Sequence, residues 1–236
     1  MNIQTRGIVL RKTPYTNSSA ILKVYTREFG MGSYMFRAGG KKGRKSAIAQ
    51  PLTRISFSTR ENQKASVNTM SNPELVNLSN LNADPVKGTI SIFLAETLSK
   101  IIGDESSDSE LFDFLDTSLD YFENSTSYLN FHLIFLIKMS RLLGFGLSNN
   151  YSELNKFFDL ENGTFVEDQN KSLHVLDESR SKAMYRLIEA EDYSAEISIG
   201  NHSRRWLLDD MMLYYTLHME GLAKIKSLAV LQEIFS

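Results

Sequence analysis

The sequence contains no cysteine, and this absence excludes several classes of function at once. Without a thiol there is no disulfide framework, no zinc site built from thiolates and no cysteine nucleophile. Histidine is also scarce, and His132, His174, His202 and His218 are scattered without the spacing of metal ligands. No assembled set of catalytic groups can be named, so we expect a protein that is not an enzyme and needs neither metal nor cofactor.

Long uninterrupted hydrophobic runs are missing as well. The most apolar window, residues 129–147, carries Lys138 and Arg141 near its centre, so inserting it into a bilayer would be costly. Residues 1–13 have no apolar stretch long enough for a signal peptide. We therefore expect a cytoplasmic protein that does not engage a membrane.

What the chain does have is a sharp separation of charge. Residues 1–82 hold 13 Lys and Arg against 3 Asp and Glu, a net charge of +10, whereas residues 83–236 hold 13 against 25, a net charge of −12. A basic module joined to an acidic one is typical of a polyanion-binding domain attached to a second domain. The basic half therefore predicts a nucleic-acid partner.

The basic half alternates apolar and polar residues with the period of two that indicates β-strands. Residues 5–12, 20–25, 34–37, 54–58 and 64–70 give about five such strands, and no helix-length periodic segment interrupts them. Five short strands in this length are typical of a small Greek-key barrel of the OB type. We predict an OB-fold nucleic-acid-binding domain over residues 1–81.

The acidic half, residues 82–236, has helical periodicity throughout and predicts a partner-binding α-helical domain. Asp84 followed by Pro85 indicates the start of its first helix, and Ser107 with Glu110 has the spacing of a capping box before the second. Residues 129–143 are apolar nearly all round, which predicts a helix at the centre of a bundle. The fold class is therefore α+β.

A β-hairpin is predicted as an insert among these helices, at about residues 156–167. Asn162-Gly163 supplies the positive φ angles that a tight hairpin turn requires, and aromatic and β-branched residues flank it.

The densest cationic segment, residues 37–46, combines five Lys and Arg with three glycines. Glycines let backbone N–H groups approach a phosphate, and cations at this density neutralise a nucleic-acid backbone. The spacing fails the P-loop pattern because Arg44 stands between Gly43 and Lys45. Gly40 to Gly43 matches the clamp of a KH domain, although that clamp joins helices, so a sequence-tolerant RNA-binding module of OB or KH type remains the alternative.

We predict two sets of binding residues. The DNA-binding set comprises the cations of the barrel and two strand aromatics that could stack on bases: Arg6, Arg11, Lys12, Lys23, Arg27, Tyr34, Phe36, Arg37, Lys41, Lys42, Arg44, Lys45 and Arg54. Because strand side chains alternate between two faces, about half of the aromatic rings are expected to lie in the core instead. The second set, Lys138 with Arg141 or Arg204 with Arg205, is assigned only by the family resemblance given below, which implies that a cationic rim binds an acidic partner tail.

Several segments together resemble the RecO family of bacterial recombination mediators. Residues 5–10 and 21–30 resemble its first two strands, residues 37–52 its basic loop, residues 142–145 the end of its central helix, and residues 218–231 its C-terminal helices. The resemblance implies an OB fold followed by a helical domain. It also implies binding of single- and double-stranded DNA, strand annealing, contact with the acidic tail of single-strand-binding protein, and cooperation with RecR in loading RecA at the nucleoid.

The chain departs from the family pattern in one respect. Many members carry a four-cysteine zinc module in the helical domain, which this chain cannot form. The predicted hairpin is a candidate for the same place, held without metal by its turn and its aromatic packing.

Overall fold

The computed structural model describes residues 2–37, 46–60, 65–77, 81, 84–103, 107–190, 192–194, 197–222 and 224–235. Internal contacts divide the chain into a first unit, residues 1–124 with 225–228, and a second unit, residues 125–224 with 229–236. The first unit therefore includes two helices in addition to the predicted barrel, whereas the sequence prediction divides the chain after residue 81.

The first unit is built on a curled sheet in the order β5-β3-β2-β1-β4-β6. The strands are β1 (Ile3–Thr16), β2 (Ser19–Thr26), β3 (Gly30–Arg37), β4 (Arg54–Thr59), β5 (Asn68–Thr69) and β6 (Ser71–Leu75). The two outermost strands are separated in sequence by Met70 alone, so the last segment pairs first with β3 and then with β4. The sheet closes in this way into the predicted OB-type barrel, whose fifth strand is broken in two.

Alternating side chains from every long strand fill the barrel. Val9, Val24, Tyr34 and Phe57 are fully buried, and the rings of Tyr34 and Phe57 meet edge to face at 4.9 Å. This is the period-two pattern that the sequence predicts, with one face of each strand removed from water.

Helices α1 (Pro85–Ile101) and α2 (Ser109–Asn124) complete the first unit. The Asp84 carboxylate caps α1 by accepting from the backbone N–H groups of Val86 and Lys87, as predicted. The predicted capping box at Ser107 is wrong by one residue. Asp108 holds the start of α2 instead, because its Oδ1 accepts from the N–H groups of residues 110 and 111 at 2.9 and 3.0 Å.

The second unit packs helices around α3 (Phe131–Leu142), which is buried on nearly every side, as its all-round apolar pattern predicts. The other helices are α4 (Glu178–Ile188), α5 (Asn201–His218) and α6 (Leu228–Ile234), the last of which begins in the first unit. Tyr215 of α5 is buried and donates its hydroxyl hydrogen to Leu136 O of α3 at 2.8 Å. The apolar central helix is thus joined to α5 by a satisfied polar contact as well as by packing.

The predicted hairpin is present, with strands β7 (Phe157–Asp159) and β8 (Thr164–Val166). The tight turn predicted at Asn162-Gly163 is wrong, because residues 160–163 connect the strands and Gly163, with φ of 62°, is the one residue among these four that has a positive φ. The rings of Phe158 and Phe165 meet edge to face at 4.8 Å. Asp159 is fully buried, and its carboxylate accepts from the Glu161 backbone, from the Asn162 amide and from the Ser172 hydroxyl. Burial raises the pKa of Asp159, but these hydrogen bonds outweigh it and bring the pKa below its ordinary value.

Within the first unit, Glu96 of α1 anchors the short segment 225–228. Its carboxylate accepts from the backbone N–H groups of Lys226 and Ser227 at 3.0 and 2.8 Å, from the Ser227 hydroxyl, and from Lys100 Nζ at 2.7 Å. Burial alone would raise the pKa of Glu96, yet the hydrogen bonds from Lys100 and Ser227 lower it from 4.5 to about 2.

We expect Glu96→Gln to lower the free energy of unfolding at pH 7 by about 1–3 kcal/mol, the usual cost of losing hydrogen bonds to a charged group. Because the folded-state pKa is depressed, this stabilisation is complete above pH 4.5 and is lost as the pH falls towards 2. Urea unfolding at pH 7 and pH 3 tests this, with the exposed Glu220→Gln as control. An equal loss for Glu96→Gln at both pH values would contradict the assignment.

Candidate nucleic-acid interface

Three of the predicted DNA-binding cations are held by carboxylates of α2. Asp113, Asp116, Asp120 and Glu123 recur every three or four residues and so share one face of this helix. Arg6 donates to both oxygens of Asp116 at 3.1 and 2.8 Å, and Arg27 forms a two-point ion pair with Asp113. Both pairs are partly exposed, so DNA would have to compete with a carboxylate for each of these arginines.

Arg54 is different, because it is buried beneath α2. Its guanidinium is 5% exposed and donates to Asp120 Oδ1 at 2.9 Å, to Glu123 and to the backbone oxygen of Asp116. Burial would lower its pKa, but the hydrogen bonds and charges of Asp120 and Glu123 raise the pKa above the ordinary value. The prediction that Arg54 contacts DNA is therefore wrong, since its role is to hold α2 against strand β4.

The prediction that Tyr34 and Phe36 stack on bases is also wrong. Both rings lie in the barrel core, 0% and 3% exposed. The residues that alternate with them on β3, Ser33, Met35 and Arg37, face outward and are partly or fully exposed. The alternative that the sequence left open for these rings, packing in the core, is the one that the structure shows.

The remaining described cations of the set, Arg11, Lys12, Lys23 and Arg37, belong to β1, β2 and β3. Arg11 and Lys12 are exposed near the end of β1, and Arg11 stands opposite Lys23 in the register of the two strands. Lys23 donates to the Ser99 backbone oxygen of α1 at 3.3 Å. Arg37 is exposed at the end of β3, opposite Ser19. The two hairpin strands and β3 thus present several cations at the same end of the sheet.

A groove of about 470 Å³ adjoins this end of the barrel, and Met35, Arg37 and residues 69–73 line it. The chain continues from Arg37 into the glycine-rich basic segment. The predicted phosphate contacts Lys41, Lys42, Arg44 and Lys45 lie outside the described residues. The groove therefore opens where the sequence concentrates its positive charge.

Sequence reasoning missed Tyr15, an aromatic residue that is 63% exposed near the tip of the β1–β2 hairpin. It lies at an irregularity in the β1–β2 register, between the pairs Pro14–Ala20 and Thr16–Ser19. Its position beside the predicted turn, next to Pro14, was visible in the sequence. Tyr15 therefore presents an exposed ring, which Tyr34 and Phe36 do not.

In the second unit the structure separates the four predicted tail-binding cations. Arg204 is 4% exposed and Arg205 is exposed, so the expectation that they form one exposed rim is wrong. Lys138 lies over the Tyr193 ring at 5.6 Å, while Arg141 is exposed and donates to Ile188 O at 3.5 Å. Arg204 lines a pocket in this unit.

The described residues contain neither a cluster suited to a metal ion nor a membrane-spanning helix. No cluster of three or more His, Asp or Glu is placed to hold a metal ion. No helix in the same part of the chain is long and apolar enough to cross a membrane.

Comparison with known proteins covers nearly the whole chain. A family model described as the N-terminal part of recombination protein O matches residues 1–79, and a model described as its C-terminal part matches residues 82–229. The chain belongs to the RecO family. This membership supports a role in DNA repair and recombination.

Curated relatives match the chain over their full length. Proteins named DNA repair protein RecO from Azobacteroides pseudotrichonymphae and Flavobacterium psychrophilum are 30% and 31% identical to it, and each alignment covers 100% of both chains. The protein of that name from Phocaeicola vulgatus is 32% identical, with 99% of each chain covered. The barrel and the helical part thus occur together in these RecO proteins, in the same order.

For this RecO family member we expect Tyr15→Ala to weaken binding of single-stranded oligonucleotides by about 1–3 kcal/mol, the contribution of one base stacked on an aromatic ring. Tyr15→Phe should keep most of the affinity, because the ring face is retained. Fluorescence anisotropy with a labelled oligonucleotide measures both, and the melting temperature shows that the fold is intact. Equal affinity for Tyr15→Ala and the unaltered protein would remove this residue from the interface.

Proposed function

We propose that the protein is a non-enzymatic recombination mediator that binds single- and double-stranded DNA and anneals complementary strands. Together with RecR and single-strand-binding protein it would promote the loading of RecA. The observation that carries the proposal is the cationic end of the barrel, where Arg11, Lys12 and Arg37 adjoin the basic segment 37–46. Family membership supports the same role.

Annealing in this proposal needs no bond chemistry. Two complementary strands repel each other through their phosphates, and a surface of cations that binds both lowers this repulsion. Exposed lysine and arginine side chains track the backbone without reading sequence, so any pair of strands can be brought together. Tyr15 would hold a base of one strand by stacking.

The cations that the acidic face of α2 holds contribute less to this surface. Arg54 is buried, and Arg6 and Arg27 already have carboxylate partners. We therefore propose that DNA contacts the end of the barrel near the tip of the β1–β2 hairpin and the end of β3, where Arg11, Lys12 and Arg37 are exposed, and follows it towards the basic segment. This path leaves the acidic side of the unit facing solvent, where it would repel a misplaced strand.

The helical part is proposed to bind the acidic tail of single-strand-binding protein. A tail of this kind needs a cation close to an apolar or aromatic surface. Lys138 beside the Tyr193 ring, and the exposed Arg141 on the same helix, provide such a combination. We propose a cytoplasmic location at the nucleoid, where these partners act.

Replacing Lys41, Lys42, Arg44 and Lys45 together by Gln should weaken DNA binding and flatten its dependence on salt. Each lost phosphate contact on single-stranded DNA reduces the slope of log K against log salt by about 0.7, so four contacts remove up to about 3. Anisotropy titrations at several salt concentrations give the slope. The double variant Arg6→Gln, Arg27→Gln serves as a control and should change the slope less per charge removed. An unchanged slope in the fourfold variant would reject this segment as the DNA contact.

The mediator role itself is tested by strand annealing on oligonucleotides coated with single-strand-binding protein. We expect the protein to accelerate annealing without a nucleotide cofactor, and to do so less well when the coating protein lacks its acidic tail. Coated RNA in place of DNA, together with a direct comparison of DNA and RNA affinity, separates this role from a sequence-tolerant RNA-binding one. Failure to anneal coated DNA, combined with a preference for RNA, would reject the proposal.

A further inference from the structure

A pocket of about 350 Å³ opens in the second unit where helices α3 and α5 both begin. Its wall includes the loop before α3, residues 126–130, and the loop before α5, residues 197–199. Its volume is within the range of sites that hold small molecules. All of the residues that line it and are named here belong to the second unit.

Arg204, on the first turn of α5, lines this pocket although it is almost fully buried. Its guanidinium donates to Asn130 Oδ1 at 3.0 Å, to Asn201 Oδ1 at 2.8 Å and to Ile199 O at 2.8 Å. All three acceptors are neutral, and no carboxylate in the described part of the chain forms an ion pair with it. Two of its five N–H groups are left over. Burying a guanidinium is costly, and a bound anion would offset part of that cost.

The side chains that hold Arg204 leave both helix starts without side-chain caps. The Asn130 side chain, at the N-cap position of α3, makes no hydrogen bond to its own helix, because its amide oxygen accepts from Arg204 and its amide nitrogen donates to Ile197 O at 2.8 Å. Gly200, at the N-cap of α5, has no side chain to offer. No side-chain cap therefore offsets the partial positive charge of the first N–H groups of α5.

Aromatic and hydroxyl groups complete the lining. The rings of Phe131 and Tyr193 pack at 4.7 Å on one side, and the Phe235 ring supports the guanidinium of Arg204 from 4.9 Å. Thr126, Ser127 and Ser198 add hydroxyl groups. The one carboxylate of residues 192–194, that of Asp192, accepts from the backbone and hydroxyl of Ser194.

We propose that this pocket binds a phosphate monoester carrying an aromatic base, a nucleoside monophosphate in its simplest form. The phosphate would accept from the spare N–H groups of Arg204 and from the start of α5, while the base packs beside Tyr193. Several donors around one point suit the tetrahedral phosphate better than a planar carboxylate. A single phosphate also suits the surroundings better than a nucleic-acid chain, because residues 83–236 carry a net charge of −12 that repels a polyanion.

Isothermal titration of the full-length protein at fixed ionic strength tests this inference with four probes: deoxyadenosine monophosphate, inorganic phosphate, deoxyadenosine and N-acetylphenylalanine. We expect the monophosphate to bind most tightly, inorganic phosphate more weakly, and the nucleoside without phosphate not measurably. Tighter binding of N-acetylphenylalanine would overturn the assignment in favour of a carboxylate ligand. No binding of the monophosphate would also overturn it.

Two variants locate the site. Arg204→Gln should weaken the monophosphate more than about tenfold, as expected for the loss of a charged hydrogen-bond donor. Gly200→Asp is expected to stay folded, so a loss of binding in this variant would report on the pocket itself. A Cβ at this position meets open space at φ of −67°, and an N-cap carboxylate stabilises a helix while filling the same N–H groups.

The expected result for Gly200→Asp is an equal or higher melting temperature together with loss of monophosphate binding. Arg186→Gln removes one cation from an exposed position on α4 and should leave binding unchanged. If Gly200→Asp binds the monophosphate as well as the unaltered protein does, the pocket is not the site. Equal weakening by Arg186→Gln would likewise reject it, since the effect would then reflect overall charge.

Discussion

The first unit depends on one buried ionic cluster, in which the guanidinium of Arg54 on β4 meets Asp120 and Glu123 of α2. The side chains of Arg54 and Glu123 are 5% and 8% exposed, so removing one of them would leave the other charge buried, which is far more costly than losing an exposed pair. The cluster fixes which face of α2 lies on the barrel. Once that face is fixed, Asp113 and Asp116 stand within reach of Arg27 and Arg6, so that carboxylates of α2 hold three of the barrel cations.

Local patterns in the sequence were sufficient for most of the fold. The strands follow from alternation, the start of α1 from Asp84 and Pro85, and the small hairpin from Asn162-Gly163, because each depends on residues close together in the chain. Ser107 and Asp108 can both cap a helix, and a sequence pattern does not distinguish two candidate caps that are one residue apart. In the structure Asp108 is the residue that caps α2.

The candidate interface was less predictable, for a physical reason. Whether a cation can bind a ligand depends on its partners, and the carboxylates that hold Arg54 lie more than 60 residues further along the chain. Alternation does not say which face of a strand is the inner one, so Tyr34 and Phe36 were as plausible outside as inside. Arg204 shows the reverse case, since it belongs to the acidic part of the chain and yet has no acidic partner among the described residues. Pairing, rather than composition, decides where charge is available.

The way in which the barrel closes also limits how partners can attach. The last strand changes neighbours at Met70, so that β5 covers the open side of β3 and β6 covers that of β4. In the second unit, Val175 pairs with Asp159 on the hairpin. An extended peptide that adds a strand to a sheet needs an unpaired strand edge. Strand β2 offers none, because β1 and β3 pair with it along its whole length, whereas β1 pairs with β4 over residues 3–8 and with β2 over residues 7–16. A partner that extends the sheet would therefore have to pair with β1 or β3 outside the stretches that already have two neighbours.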